Sequence, residues 1–358
     1  MLFRRVILFW SLPIILLSSF IVYEYYPVWH AKIQQHAQIS RWRSAARRGD
    51  AKAETSLGVA YYSGQGVPRD YAEASKWYRA AAVQGWPQAE ADLAGLYTFG
   101  LGVRRDYKLA LKWARAAAST GNADGENNLG VLYANGWGVP RKYGKARALF
   151  VKAAAQGNAG AQYNIGVLYA HGLGTRKDLA KAVKWFHIAA RRGWPGAQGA
   201  LASMYVAGNG LPKDYGKAAR WAAKAAANGN ANGENVMGIL SLHGLCMRQD
   251  LGAAYQWFRD SASKGSRAAQ DNLGTLYWHG YGTVRDFATA VKWFRKSARQ
   301  GYAPAEADLG RAYMLGRGVP RDIVKARKWF AKAAAAGDPH GKQGLEELQK
   351  LAPVGTKK

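Results

Sequence analysis

Apolar residues along this chain recur at helical spacing, and the helical stripes themselves recur every 36 residues without a slip. Leu57, Leu93, Leu129, Ile165, Leu201, Met237, Leu273 and Leu309 mark one such position; four residues on stand Tyr61, Tyr97, Tyr133, Tyr169, Tyr205, Ser241, Tyr277 and Tyr313. With small residues at 53 and 60 they form one face of a helix over about 52–62. Gly64 and its equivalents then stop that helix, because glycine accepts the left-handed conformation at a C-terminus. A second glycine follows two residues later and fails once, at Cys246. Asp70 and its equivalents, replaced once by Lys142, stand where a second helix needs an N-cap. Ala74, Trp77, Tyr78, Ala81 and Ala82 predict the buried stripe of that helix, and Leu149 is the exception in the tryptophan row. A glycine, from Gly85 to Gly337, closes each unit. Asn122, Asn158, Asn230, Ser266 and Asp338 are placed to cap the next first helix; Trp86, Trp194 and Tyr302 hold that place elsewhere.

The periodic region fills residues 50–337 as eight units, and a half-unit reads at each end. Trp42, Ala45, Ala46 and Gly49 fall 36 residues before Tyr78, Ala81, Ala82 and Gly85, so residues 28–49 read as an orphan second helix that caps the stack. Residues 338–351 read as a final first helix, with Leu345 in the pivot row and Glu346 and Glu347 on a polar face; residues 352–358 form a short basic tail. Stacked units bury only their neighbours' surfaces, so such ends are needed. The pattern Leu-Gly-x-x-Tyr-x-x-Gly-x-Gly-Val-x-x-Asp-x-x-x-Ala-x-x-Trp-Tyr-x-x-Ala-Ala-x-x-Gly resembles the Sel1-like repeat, a relative of the tetratricopeptide repeat. The resemblance implies an all-α chain, a right-handed α/α solenoid of helix pairs, here preceded by one transmembrane helix. Some members of the broad family are cysteine-rich, with one bridge per repeat. This chain lacks that pattern, so their β-lactam-binding activity is not implied.

That transmembrane helix is expected at residues 6–26. After a short basic start over 1–5, with Arg4 and Arg5, the run Val6–Tyr23 is almost wholly apolar. Its length is near the roughly 17–25 residues that span a bilayer. Two arginines before an apolar run also suit a cleaved secretory signal. The run ends, however, in bulky residues, and Tyr23, Tyr25, Tyr26 and Trp29 read as an interfacial belt, which favours an uncleaved anchor. Arg4 and Arg5 draw the N-terminus to the cytoplasm and place the repeats outside it. Lys32, Arg41, Arg43, Arg47 and Arg48 pull the other way, so a cytoplasmic repeat domain is the alternative.

Composition changes the picture in two ways. The formal net charge of +28 favours anionic partners such as lipid headgroups, envelope polymers or nucleic acid, and says nothing of fold. The single cysteine, Cys246, excludes an intramolecular disulfide and a cysteine-based metal cluster. No catalytic constellation, cofactor motif or metal-ligand spacing is found, so the chain reads as non-enzymatic. His171, His243 and His279 share one position near a helix C-terminus, where the dipole favours them without a metal.

Two faces remain as candidates. On the first helices Asp92, Asn128, Asn164, Asn272 and Asp308 share one row, and Asn127, Tyr62, Tyr163, Asp271 and Trp278 stand beside it. The tetratricopeptide resemblance implies that this concave face takes a protein or peptide, the asparagines bonding an extended backbone. On the second helices Lys76, Lys112, Lys184, Arg220, Lys292 and Lys328 form a row, flanked by Lys145, Lys181, Lys217 and Lys325 and by Lys152, Lys224, Lys296 and Lys332. Spacings of i, i+3 and i+7 put these on one face, a band suited to anionic lipid or polymer. Nucleic acid and small-molecule substrates fit poorly, since no aromatics interleave with the band.

Overall fold

The computed structural model describes residues 34–351, and all regular structure in that range is helical. The expected span at 6–26 and the basic tail at 352–358 lie outside the described residues. Among those described, no helix is long and apolar enough to cross a membrane. The chain divides into two compact units, residues 1–161 and 162–358.

The first unit contains α1 over 34–46, α2 (Ala51–Ser63), α3 (Tyr71–Val83), α4 (Pro87–Phe99), α5 (Tyr107–Ser119), α6 (Ala123–Asn135), α7 (Tyr143–Ala155) and the start of α8 (Ala159–His171). The second contains the rest of α8, then α9 (Leu179–Arg191), α10 (Pro195–Ala207), α11 (Tyr215–Ala227), α12 (Ala231–His243) and α13 (Leu251–Ser263). It continues through α14 (Arg267–His279), α15 (Phe287–Ala298), α16 (Ala303–Leu315), α17 (Ile323–Ala335) and α18 (Pro339–Leu351). Within each unit a first helix packs on the second helix of its own repeat, as α4 on α5 and α10 on α11. The second helix packs on the first helix of the next repeat, and successive first helices also touch, α4 with α6, α10 with α12 and α16 with α18. Each unit is therefore a solenoid stack.

The caps follow the sequence closely. Asp70 accepts from the amides of Ala72 and Glu73, and aspartates at 106, 178, 214, 250, 286 and 322 cap the other second helices. Lys142 gives α7 no side-chain cap. Asn122, Asn158, Asn230, Ser266 and Asp338 cap first helices. Trp86, Trp194 and Tyr302 do not; there a proline in the first turn supplies a position that needs no amide donor. The loop inside each repeat is closed by one backbone bond, from the amide at 70 to the carbonyl at 61, repeated through Asp322 and Tyr313.

Size complementarity locks the helix pairs. A Cβ on Gly274 would lie 2.6 Å from the Phe294 ring, and Gly58, Gly130, Gly166, Gly238 and Gly310 face Tyr78, Phe150, Phe186, Phe258 and Phe330 in the same way. Where the first-helix residue is Ala94 or Ala202, the second-helix residue is Ala114 or Ala222. A buried glutamate or glutamine stands in each repeat's first helix, from Glu54 to Glu306, and several of them form a polar clasp. Gln84 donates to Glu54 and Gln156 to Glu126, while Lys264 pairs with Glu234 and Lys332 with Glu306.

Both ends are capped by helices. Ile39 and Ala46 of α1 are buried with Ala53, Leu57 and Ala60, and Trp42 and Ala45 pack beside them. At the other end Leu348 is buried and Leu345 only half so; Gly344, not a residue of the glycine row, receives Phe330. Met237 is likewise half-buried, packed against a cluster in which its neighbour Val236 is buried.

The tryptophan row differs from expectation. Trp77 and its equivalents are half-buried, at the edge of the packed face. Lysines cover them: Lys112, Lys224, Lys296 and Lys332 lie 4.8, 5.1, 3.9 and 5.3 Å from the rings of Trp113, Trp221, Trp293 and Trp329. The alanines at 74, 81 and 82 fill the interior because they let the helices approach closely.

Cys246 holds φ +60°, a left-handed backbone that its Cβ makes costly, and its thiol donates to the Tyr215 carbonyl at 3.3 Å. Cys246→Gly is expected to stabilise the second unit by about 1 kcal/mol. Urea denaturation of parent and variant measures it, and an unchanged or lower midpoint would contradict the strain.

Candidate functional site

The polar row on the first helices is tied into the stack. The Asn128 amide donates to the Ala91 carbonyl at 2.9 Å, and that of Asn272 to Asn235 Oδ1 at 2.9 Å, each reaching back one first helix. These asparagines bond a backbone or side chain of this chain itself, which leaves those donors committed. In the first unit Gln88 Nε2 donates to Asp92 and Asp124, Asn122 donates to Gln88, and Asn158 donates to Asp124. Asp92 Oδ2 is out of contact with solvent and has no hydrogen-bond partner among the described residues. Burial, and then the neighbouring Asp124, push the Asp92 carboxyl up to about 7.

In the second unit Asp271 is buried at 7% exposure, Trp278 at 8%, against Phe287 and Phe294. Desolvation, together with Asp308 and Asp338, raises the Asp271 carboxyl well above its ordinary range; Asp308, 3.8 Å from Arg311, is raised as well by burial. Tyr163 packs its ring on Phe186 and Trp194. Asn164 is half-buried on α8 and does not stand free. Of the predicted groove residues, then, Tyr62 is exposed, whereas Asp271 and Trp278 are buried and Asn128, Tyr163, Asn164 and Asn272 are half-buried.

The side chains that do project lie one turn away, and the sequence reading passed over most of them. In the first unit Val59, Tyr62 and Phe99 are exposed, Phe99 at 61%. Gly95 lies between them in sequence, on α4, and has open space where a Cβ would be. His171, His243 and His279 are exposed, and His279 stacks on Tyr281 at 5.1 Å. Burial lowers the His279 imidazole below its ordinary value, with Arg285 and Arg311 adding to the effect. Among the described residues no group of three or more histidine, cysteine, aspartate or glutamate side chains could hold a metal ion. The signal for these exposed apolar side chains was present as Tyr62 and Phe99 next to a glycine turn, but exposure is a property of the stack.

The second-helix cations separate into partnered and unpartnered rows. Lys181, Lys217 and Lys325 pair with the cap aspartates at 3.1, 3.1 and 3.0 Å and lie over Tyr169, Tyr205 and Tyr313; Lys145 lies over Tyr133. Lys76 pairs with Glu73 at 2.5 Å. Lys184, Arg220, Lys292 and Lys328 are exposed and, among the described residues, form no ion pair.

Residues 51–86, 87–122, 123–158, 159–194, 195–230, 231–266, 267–302 and 303–338 each match the Sel1 repeat. The chain is 34% identical to a Sel1 repeat protein from Oxalobacter formigenes, covering 86% of this chain and 89% of that one, with a TM-score of 0.50. It is 31% identical to a protective antigen present in uropathogenic Escherichia coli strains that displays an SLR fold, over 87% and 83%, with a TM-score of 0.40. A sel1 repeat protein from Klebsiella pneumoniae is 23% identical over 57% and 99%, with a TM-score of 0.43. No curated protein matches.

Proposed function

The chain belongs to the Sel1 repeat family, and from that premise we propose that it is a non-enzymatic scaffold or adaptor holding a protein or peptide partner on its first-helix face. A Sel1-repeat solenoid suits such a role. The observation that carries the reading is that Val59, Tyr62 and Phe99 on the first helices are exposed apolar side chains, and that a Cβ at Gly95 on α4 would meet open space. Aromatic side chains left in water are the kind of anchor on which interfaces concentrate their affinity.

Tyr62→Ala with Phe99→Ala in the full chain is expected to weaken stoichiometric capture of the partner at least about tenfold. Proximity labelling and pull-down of parent and variant measure this, and equal capture by both would remove the reading. One observation favours a second reading, docking to an anionic lipid or envelope polymer: the exposed Lys184, Arg220, Lys292 and Lys328 form no ion pair among the described residues. Only salt-sensitive polyanion binding, lost with those cations, would favour it.

We further propose that residues 6–26 anchor the chain in a membrane as a single span, with the repeats outside the cytoplasm. The apolar run from Val6 to Tyr23 and the two arginines before it support this. A C-terminal alkaline phosphatase fusion should be active; inactivity with cytosolic fluorescence of a matched fusion would place the repeats on the other side.

A further inference from the structure

Neither face above includes an open concavity that lies in the first unit. It is an open cavity of about 800 Å³ between α3, α4, α5 and the turn that carries Gly138. Four cations line it: Arg79, Arg104, Arg105 and Lys108. Asp106 is the one acid among its lining residues, and its Oδ1 already accepts the amides of Lys108 and Leu109 as the cap of α5. In the second unit the equivalent aspartates at 178, 214 and 322 meet a lysine three residues on, whereas here that position is Leu109. Among the described residues no carboxylate pairs with any of the four cations.

Two of the guanidinium groups are held in place without an anion. Arg79 donates to the Tyr97 hydroxyl and sits 5.9 Å from that ring. Arg105 lies 5.6 Å from the Tyr107 ring, which stacks on Trp137 at 5.3 Å. Gathering like charges in a concave surface raises the local positive potential, and fixing them beforehand lowers the entropy lost when a ligand arrives. Planar guanidinium forks match tetrahedral oxyanions through paired, charge-assisted hydrogen bonds. The volume falls within the roughly 300–1,000 Å³ of small-molecule sites, so there is room for the group that carries the oxyanion. The neighbouring repeats lack the full set. The first has Arg43 and Arg69 but Pro68 and Ala72 at the other two places; the third has Arg115 and Arg141 but Pro140 and Gly144.

We propose that this cavity is a phosphoryl-binding site, taking a phosphate monoester or diphosphate through Arg79 and Arg105, with Arg104 and Lys108 balancing the remaining charge. It is independent of the first-helix reading, and either can fail alone. The test is calorimetric titration of the full chain with inorganic pyrophosphate. Saturable binding with one site per chain is expected, weakened about tenfold or more in Arg79→Gln/Arg105→Gln. Arg327→Gln/Lys342→Gln, which removes equal charge from exposed positions elsewhere, should change it less than about twofold. Arg104→Gln/Lys108→Gln, at two exposed positions, keeps the test open should the first variant unfold, and is expected to weaken binding in the same direction. Absence of saturable binding, or equal loss in the remote control, overturns the site. Flotation with phosphatidylcholine vesicles, with and without phosphatidylglycerol, then identifies the source. A parallel loss in Arg79→Gln/Arg105→Gln assigns the site to a lipid headgroup; loss of pyrophosphate binding alone assigns it to a soluble phosphoryl compound.

Discussion

Gly274→Ala is expected to destabilise the second unit by about 1–3 kcal/mol, although glycine to alanine in a helix interior ordinarily stabilises by about 1 kcal/mol. The reversal comes from the packed Phe294 ring, whose Cε1 would lie 2.6 Å from the new Cβ. Valine at the same place is expected to cost about 3 kcal/mol or more, since its γ-carbons meet the same ring. Phe294→Ala alone should cost about 3–5 kcal/mol through the cavity it leaves. The double variant Gly274→Ala/Phe294→Ala should be no less stable than Phe294→Ala, because the added methyl enters the vacated space, as in the native pairs Ala94 with Ala114 and Ala202 with Ala222. Gly95→Ala is the control: that site has open space, so it should gain stability. Repeat arrays need not unfold in one step, so urea midpoints should be read together with amide exchange in α14 and α15. Additive single-variant losses in the double variant would show that the two side chains do not share one space.

Asp92→Asn is expected to stabilise the first unit at pH 8 by on the order of 2 kcal/mol and to change it little at pH 4. Burial and Asp124 raise the folded carboxyl to about 7, against roughly 3.9 in an unfolded chain. The folded state therefore binds the extra proton between those values. The group's stabilising contribution is fully present below about pH 4 and is lost as pH rises through 7. Asparagine keeps an acceptor for Gln88 and has no charge to desolvate, so the difference between variant and parent should grow across that window. Asp271→Asn should act in the same direction in the second unit. There Asp308 and Asp338 add to burial in raising the Asp271 carboxyl, Asp271 in turn acts on Tyr302, which Arg267 opposes, and Arg311 and His340 act on Asp308. Thermal melts of parent and variants from pH 4 to 8 give the comparison. Parallel curves would show that Asp92 ionises as freely in the folded chain as in the unfolded one.

Two rows illustrate how differently the same periodicity could be read. Asp70 and its equivalents could be placed as caps directly, because a cap acts on amides two and three residues away. The asparagine row at 128 and 272 has the same regularity, yet its partners lie 37 residues back on a different helix. Nothing local distinguishes an asparagine that reaches a neighbouring helix from one that faces an open groove. The glutamate and glutamine row from 54 to 306 was equally regular, and its meaning came from residues about 30 positions on. The glycine–aromatic exchange was also written in the chain, as paired substitutions at 94 with 114 and 202 with 222, but only packing turns that pairing into a contact.

Helix boundaries, caps, turn glycines and the terminal half-repeats were settled by the linear order of residues, because each depends on interactions within a few positions along the backbone. Which polar side chains stay open to a partner depended on the stacking of units. Packing withdrew Asp271 and Trp278 from water and committed the Asn128 and Asn272 amides. It also left Val59, Tyr62 and Phe99 exposed and drew Arg79 to the turn that carries Arg104 and Arg105. Exposure and convergence are sums over neighbours distant in sequence, so a 36-residue repeat fixes where a side chain stands on its helix but not what its neighbours leave uncovered.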